Sequence, residues 1–475
     1  MLPVVGLLAL ALPQGLAPDS VRTLPFAAFY EQVARFHPEA RQAQLRFDAA
    51  DEGVRAASGD VYDPSVEVAW SKKAYKATPY YNYVDAALKI PTPIGVEVKL
   101  GYERTAGDFT SPERTPDIGL FTAGLIVPLG QGLLTDQRRN ALAVARAARA
   151  GAAADRRAQV NKLLLTAAKG YAEWYEAWRR QRLQREAVQL ARDRLEFVRQ
   201  RVVNGDQPAI DSVEADLEVQ RRETSRLEAD AQYRAASEVL AFYLWTETGE
   251  PATLAPGVVP TAAGLEPDAR DTLAVDGWLA RAMQQHPDLQ KALARLRAAE
   301  AERGFRGQEL LPDAFVALSA IGGREEDGAP PLLSDVSENF KLDLVAKTPL
   351  LLLKDRGRYN AAGDRLEIAQ LDTRLVRREI EVRVRVAAIS LLQLARTLEV
   401  QRRAVAQAQR LRDGEQLRFE NGEGTLFLVN LRERTLVDER LKLAALEAKA
   451  AATRAELAVA LGEPGTLPAG IAAAE

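Results

Sequence analysis

The sequence contains no cysteine and only two histidines among its 475 residues. The absence of cysteine excludes disulfide scaffolds, thiolate metal sites, cysteine nucleophiles and a lipid-modified N-terminal cysteine. A catalytic triad or a multi-histidine metal site would depend on His37 and His286 alone. The sequence also lacks the short motifs of phosphate-binding loops, zinc proteases, serine hydrolases and calcium loops. We therefore expect no enzymatic activity, no bound metal and no cofactor.

The charged residues do not accumulate with one sign. The chain has 63 basic and 66 acidic side chains, for a formal net charge of -3. Such a balance lacks the basic footprint of a nucleic-acid-binding protein, so we expect no nucleic-acid partner. Most carboxylates are interspersed with arginines in helical stretches, a pattern typical of solvated helix faces.

Long apolar runs are also missing. Residues 2–12 are apolar and are followed by prolines and small residues, which resembles a secretory signal, although no basic residue precedes the run. After residue 20 no apolar run reaches the ~18 residues that a membrane-spanning helix needs. Any membrane-spanning part would have to be built from strands.

The chain is a tandem repeat with a period near half its length. The two His-Pro dipeptides, at His37 and His286, are 249 residues apart, whereas the Asn-Gly turns at Asn204 and Asn421 are 217 apart. The difference predicts an insertion of 32 residues between Pro64 and Asn204. Because a residue that precedes proline avoids the helical region, each His-Pro predicts a boundary between two helices.

Long helices are predicted on both sides of each Asn-Gly turn. Apolar residues recur with steps of four and three, which is the seam of left-handed helix packing. The first seam is Val160, Leu164, Ala167, Tyr171, Trp174 and Trp178; the second is Val384, Ala388, Leu391, Ala395 and Leu398. Residues 379–387 alternate like a strand, but their flanks are helical and no turn bounds them, so we predict a helix there.

Between the short and the long helices, each repeat has a zone of alternating apolar and polar residues, at 64–127 and 312–349. Segments of ~8–11 residues with one apolar face suit a membrane β-barrel, and an amphipathic sheet packed on helices is the other interpretation. The insertion adds one hairpin, with strands at 84–90 and 94–102 around the turn sequence PTPIG. The sequence leaves open whether this hairpin joins the barrel or lies outside it.

With this plan, the chain resembles the TolC-like outer membrane efflux proteins over residues 22–465. The plan of short helix, strands, long helix, tight turn and long helix occurs twice, and 418–466 carries the best local match. The resemblance implies an α+β membrane protein, in which a trimeric transmembrane β-barrel of two strand pairs per protomer continues into a long periplasmic α-helical barrel. It implies an outer-membrane exit duct of a tripartite efflux pump or a type I secretion system.

The resemblance also implies partners. These are two further copies in a homotrimer, a periplasmic adaptor (membrane fusion) protein, an inner-membrane transporter and outer-membrane lipid. The implied adaptor-docking tips are at Asn204, Gly205, Asn421, Gly422 and Thr425.

Proteins of this family often carry acidic residues six and nine positions after the turn glycine, where they narrow the pore. In the first repeat these positions are Asp211 and Glu214, and in the second they are Leu428 and Leu431. Only the first repeat therefore supplies a candidate charged constriction. As a simpler alternative, Asp211 stabilises the start of its helix and Glu214 is a solvated side chain.

The predicted organisation has five parts. They are a signal peptide, 1–20; a first repeat, 21–250, with strands in 64–127 and long helices in 131–248; a proline-rich linker, 251–270; a second repeat, 271–465, with strands in 312–349 and long helices in 352–462; and a tail, 466–475. The alternative function is a soluble periplasmic coiled-coil scaffold or adaptor, which needs the long helices but not strands with an apolar outer face.

Overall fold

The computed structural model describes residues 22–109, 114–261, 275–322 and 338–463. Three predicted segments lie wholly or partly outside the described residues: the signal peptide, the tail and the second part of the linker. The helices are α1 Phe26–Phe36, α2 Pro38–Tyr62, α3 Gln137–Val203, α4 Ala209–Ala241, α5 Val275–Gln285, α6 Pro287–Gln308, α7 Leu353–Glu420 and α8 Leu426–Leu461. The strands are β1 Thr23–Leu24, β2 Ser65–Tyr75, β3 Thr78–Pro91, β4 Glu97–Ala106, β5 Leu120–Pro128, β6 Val259–Pro260, β7 Asp313–Gly322 and β8 Phe340–Lys347.

Six strands form one antiparallel sheet in the order β2-β3-β4-β5-β7-β8. The sheet follows chain order, and β5 of the first repeat pairs directly with β7 of the second. The α+β class predicted from the sequence is confirmed. No helix in the described ranges is long and apolar enough to cross a membrane.

The inserted hairpin begins its second strand later than the sequence predicts. The prediction of a strand at 94–102 was wrong at its start, because residues 92–96 form a tight turn. The backbone N–H of Thr92 donates to the carbonyl of Val96 at 3.1 Å, and the Thr92 hydroxyl donates to the same oxygen at 2.6 Å. Gly95 has a φ of +86°, which an alternating strand cannot contain. Ile94 therefore lies in the turn, and β4 starts at Glu97.

The long helices occur where the seams predict them. Residues 379–387 lie within α7, so the helical interpretation of the alternating stretch was correct. Long helices were expected from 131 to 248, but α3 begins at Gln137 and α4 ends at Ala241. In the seams, Leu164, Ala167, Tyr171, Trp174, Val384, Ala388, Leu391 and Leu398 are buried.

Both His-Pro dipeptides separate two helices. His37 lies between α1 and α2, and His286 lies between α5 and α6. In each junction the imidazole Nδ1 accepts a hydrogen bond from a backbone N–H two residues on, Glu39 at 3.2 Å and Asp288 at 3.1 Å. The imidazole thus caps the second helix, in the role that Ser or Asp usually has. Burial lowers the pKa of His37, which favours the neutral ring that this hydrogen bond requires.

The chain divides into two compact units, each of which draws on both repeats. Of the described residues, one unit takes those within 1–41, 159–284 and 380–475, and the other takes those within 42–158 and 285–379. The first unit contains an aromatic core that includes Phe29, Tyr171 and Trp174, all fully buried. The second unit contains the six-stranded sheet.

The described part of the predicted linker, which ends at Thr261, is fixed to this core. Its strand β6 pairs in parallel with β1. The buried hydroxyl of Tyr171 donates to the carbonyl of Leu24 at 2.7 Å and accepts from the N–H of Thr261 at 3.1 Å. The hydroxyl of Tyr233 donates to the carbonyl of Val258 at 3.1 Å. Two tyrosines of the long helices therefore hold the connection between the repeats.

Candidate functional site: the two helical tips

The two turns that join the long helices have the same geometry. Gly205 has a φ of +80° and Gly422 has a φ of +81°. In each turn, the glycine N–H donates to a carbonyl three residues earlier, and the next N–H donates to one five residues earlier. This is the left-handed termination in which the last carbonyls of a helix are satisfied by the turn itself. The preceding residues, Asn204 and Asn421, are exposed.

The helices that leave the two turns start differently. α4 follows Pro208, which provides no side-chain cap. α8 follows Thr425, whose hydroxyl oxygen accepts from the backbone N–H of Leu428 at 3.4 Å. Thr425 therefore has a structural role as a helix cap, and its proposed contact with an adaptor stays a prediction.

The candidate constriction residues lie just beyond the first turn. Asp211 is half-buried in the first turn of α4, where a carboxylate interacts favourably with the helix dipole. Glu214 is exposed three positions later, on the same face of the helix. Its charge acts on Arg434 of α8: the hydrogen bond to Glu218 is the main cause that raises the pKa of Arg434, and Glu214 adds to it.

An apolar cluster joins the ends of all four long helices. It contains Leu195 and Val198 of α3, Ala215 of α4, Phe419 of α7, and Leu426 and Val429 of α8. The two tips are thus packed as one unit within the protomer. Large apolar side chains remain exposed around this cluster: Val203, Ile210, Val213, Leu417, Phe427 and Leu431.

A buried carboxylate links the two repeats beside this cluster. The side chain of Glu218 in α4 is only 5% exposed and accepts from Nε of Arg222 at 2.9 Å and from Nε of Arg434 at 3.2 Å. Burial acts to raise the pKa of Glu218. The hydrogen bonds and charges of the two arginines outweigh burial, and the pKa lies below its ordinary value.

A second buried ion pair connects α3 with α8. Nη1 of Arg194 donates to Oδ1 of Asn430 at 2.9 Å and to Oε2 of Glu433 at 2.8 Å. All three side chains are buried. Sequence reasoning missed both ion clusters, because the partners are more than 200 residues apart in the chain. Among the described residues, no group of three or more histidines and carboxylates is arranged to hold a metal ion.

Solved outer-membrane proteins, two of them described as channels, have this fold. VceC from Vibrio cholerae matches with a TM-score of 0.62 at 18% identity, covering 92% of this chain and 96% of its own. MtrE from Neisseria gonorrhoeae matches with a TM-score of 0.64 at 14% identity, covering 95% and 94%. CmeC from Campylobacter jejuni matches with a TM-score of 0.61 at 11% identity, covering 92% and 85%. The fold class is therefore that of outer-membrane channels.

The sequence comparison agrees with the fold. Residues 278–463 match the family model described as outer membrane efflux protein. The second repeat is thus similar to outer membrane efflux proteins, and the resemblance predicted from the sequence is confirmed. No curated protein sequence matches the chain.

Proposed function

We propose that this protein is the outer-membrane channel of an export system, through which substrates pass passively from the periplasmic side to the outside. The observation that carries the proposal is the family match over 278–463, on a chain whose whole fold is that of outer-membrane channels. The long helices supply the periplasmic part and the sheet supplies the membrane part. The soluble scaffold is not favoured, because it gives no reason for a sheet with one apolar face.

The channel is a homotrimer, consistent with how much apolar surface one protomer leaves uncovered. Along α7, side chains such as Ile368, Leu375, Val386 and Ile389 are more than half exposed. Exposed apolar side chains in such number on one helix are typical of a surface that contacts another protein. Further copies packed against these helices would bury it.

The tips dock a periplasmic adaptor protein, which connects the channel to an inner-membrane transporter. The exposed apolar side chains beside both turns, including Ile210, Val213 and Phe427, support a protein contact there. Asp211 and Glu214 line the constriction of the pore, where three copies would gather six carboxylates. Negative charges gathered in a narrow passage attract cations.

Conductance in planar lipid bilayers tests the proposed function. Purified protein is expected to produce discrete current steps, because a trimeric channel encloses a water-filled path. As a control, protein heated until the trimer dissociates should give none. Intact, correctly folded protein that inserts but never conducts would contradict the channel function.

A further inference from the structure

The hairpin inserted in the first repeat is a full part of the sheet. Strand β3 pairs with β2 on one side and with β4 on the other. Strand β4 in turn pairs with β5. Removing β3 and β4 would therefore leave a gap in the middle of the sheet, between β2 and β5.

Like the other four strands, the inserted strands β3 and β4 have one apolar face and one polar face. One row across all six strands is apolar: Val66, Leu88, Leu100, Ala123, Ala320 and Phe340. The residues adjacent in each strand form a row on the opposite face: Ser65, Lys89, Lys99, Gly124, Ser319 and Lys341. On that polar face, Nζ of Lys89 lies 2.7 Å from Oε2 of Glu67 on the neighbouring strand. A hairpin lying in water outside a membrane wall would have no reason to keep one face apolar.

The turn between β3 and β4 packs against the chain around the start of α3. A Cβ placed on Gly95 would lie 2.7 Å from Nη2 of Arg139 and 3.0 Å from the carbonyl oxygen of Gly132. Nη1 of Arg138 lies 3.7 Å from Oε2 of Glu97. The turn thus fits closely against the segment that leads into α3, which holds the hairpin in place at its turn as well as along its strands.

Among the described residues, the edge strands β2 and β8 each pair with another strand on one side only, and their residues are exposed along the whole of both strands. Unpaired backbone groups cannot face lipid, so a membrane sheet must close. Because all pairings are antiparallel and the number of strands is even, β2 and β8 run in opposite directions. A copy rotated about a symmetry axis would therefore bring its β2 antiparallel to β8 of its neighbour. Both edges carry both signs of charge, Glu67 and Lys73 on β2, and Lys341 and Asp343 on β8.

We propose that β8 of each protomer pairs with β2 of the next copy, so that three copies close one barrel of eighteen strands. The proposal rests on the trimeric channel proposed above. The family resemblance implies two strand pairs per protomer and thus twelve strands. Since barrel diameter grows nearly linearly with strand number, the membrane pore is about 1.5 times as wide as a barrel of twelve strands. The wider opening admits bulkier cargo at the membrane than twelve strands would.

Single cysteines test whether the inserted hairpin belongs to the wall, since the natural sequence has no thiol that reacts in the background. Four variants place one thiol on each face of β3 and β4: Leu88→Cys, Lys89→Cys, Leu100→Cys and Lys99→Cys. Leu342→Cys and Lys341→Cys on β8 are the matched controls. In outer-membrane vesicles, a water-soluble maleimide is expected to react about tenfold faster, or more, with the Lys-site variants than with the Leu-site variants. Equal reaction on both faces of β3 and β4, with the β8 controls still different, would place the hairpin in water and overturn the proposal.

Interchain disulfides test the closure. Ser65→Cys or Glu67→Cys on β2 is combined with Lys341→Cys or Asp343→Cys on β8, and the product is run on a non-reducing gel. Because β2 and β8 are at opposite edges of one sheet, a disulfide between them joins two copies. Covalent dimers and trimers are expected from at least one pair. Cross-links of the β8 cysteines to Glu97→Cys or Lys99→Cys on β4, in place of β2, would mean that each copy contributes only the four strands β4, β5, β7 and β8 to the barrel. That result would overturn the proposal. The absence of cross-links from every pair would overturn it as well.

These outcomes are separable from failure of the proposed function. If the protein is not an outer-membrane channel, every variant and the unmodified chain will be missing from the outer-membrane fraction. If only the strand number is wrong, all variants will be in that fraction, and the labelling or cross-linking pattern will differ from the one expected for eighteen strands.

Discussion

Glu218 carries a buried charge that contributes to packing at the tips. The change Glu218→Gln would leave Arg222 and Arg434 beside a neutral amide, and we expect it to lower the free energy of unfolding by about 1–3 kcal/mol. The control is Glu214→Gln, one turn earlier on the same helix and exposed, with an expected effect of at most about 0.5 kcal/mol. Unfolding in detergent followed by circular dichroism measures both. Equal losses in the two variants would show that the buried ion cluster contributes nothing specific.

The same carboxylate gives the tips a defined pH dependence. The pKa of Glu218 is lowered in the folded protein, so its ionised form stabilises the fold at pH values above the ordinary glutamate pKa of about 4.3. This stabilisation is lost as the pH falls through the lower pKa of the folded state. The difference in stability between the natural chain and Glu218→Gln should therefore be full at neutral pH and shrink as the solution is acidified below pH ~4.3. A difference that stays constant down to the lowest pH would contradict this assignment.

The prediction for Asp211 and Glu214 concerns ion conduction rather than stability. In planar bilayers the natural channel is expected to favour cations, and Asp211→Asn combined with Glu214→Gln should weaken that preference and raise the conductance. The reason is that the loss of the negative potential removes the attraction that selects cations and holds them in the narrow passage. Glu228→Gln combined with Glu238→Gln removes two exposed charges farther along α4 and serves as the control. Unchanged selectivity and conductance in the first double variant would place the constriction at other residues, such as Leu428 and Leu431.

At the scale of elements, the two turns are the part of the helical hairpins that an adaptor would contact. Gly205→Val combined with Gly422→Val forces a β-branched residue into a left-handed conformation, at a cost of about 1–2 kcal/mol per site. Since no atom lies within 4 Å of either added Cβ, only the backbone of the turn is disturbed. We expect export to be abolished, measured as intracellular accumulation of a transported dye, with membrane insertion intact. The matched variants Gly205→Asn and Gly422→Asn tolerate this conformation and should export normally. Normal export by the valine double variant would count against the tips as docking sites.

Elements that depend on local pattern could be predicted from the sequence. The proline after His37 and His286 restricts the backbone of the residue before it, so the helix boundaries predicted there were correct. The alternation in the strand zones shows which face of each strand is apolar, so the predicted apolar faces were correct as well. The start of β4 was not predictable, because a closed turn at Thr92 and Gly95 interrupts an alternation that continues in the sequence.

Contacts between distant segments could not be predicted. The hydrogen bonds of Tyr171 join it to Leu24 and Thr261, 147 and 90 residues away. At the tips, Asn-Gly marks both turns in the sequence. Glu218 and Arg434, by contrast, look like ordinary charges on helical faces until the fold brings α4 against α8.

The whole molecule requires assembly with further copies of itself. We expect detergent-solubilised protein to be a trimer, because the exposed apolar residues of the long helices and the two open sheet edges both need a neighbouring copy. Light scattering combined with size-exclusion chromatography measures the protein mass after the detergent contribution is subtracted. Three chains are expected, each of 52.0 kDa less the mass of the predicted signal peptide, and a monodisperse monomer would contradict the trimer.

Membrane fractionation is the direct test of the proposal that this protein is a channel built into the outer membrane. Cell envelopes are separated on a density gradient, and each fraction is washed with high salt before detergent is added. We expect the protein to remain with the outer-membrane fraction through the salt wash and to be released only by detergent, because apolar strand faces hold it in lipid. Release by salt alone, or recovery with the soluble periplasmic proteins, would contradict the account and favour a periplasmic scaffold.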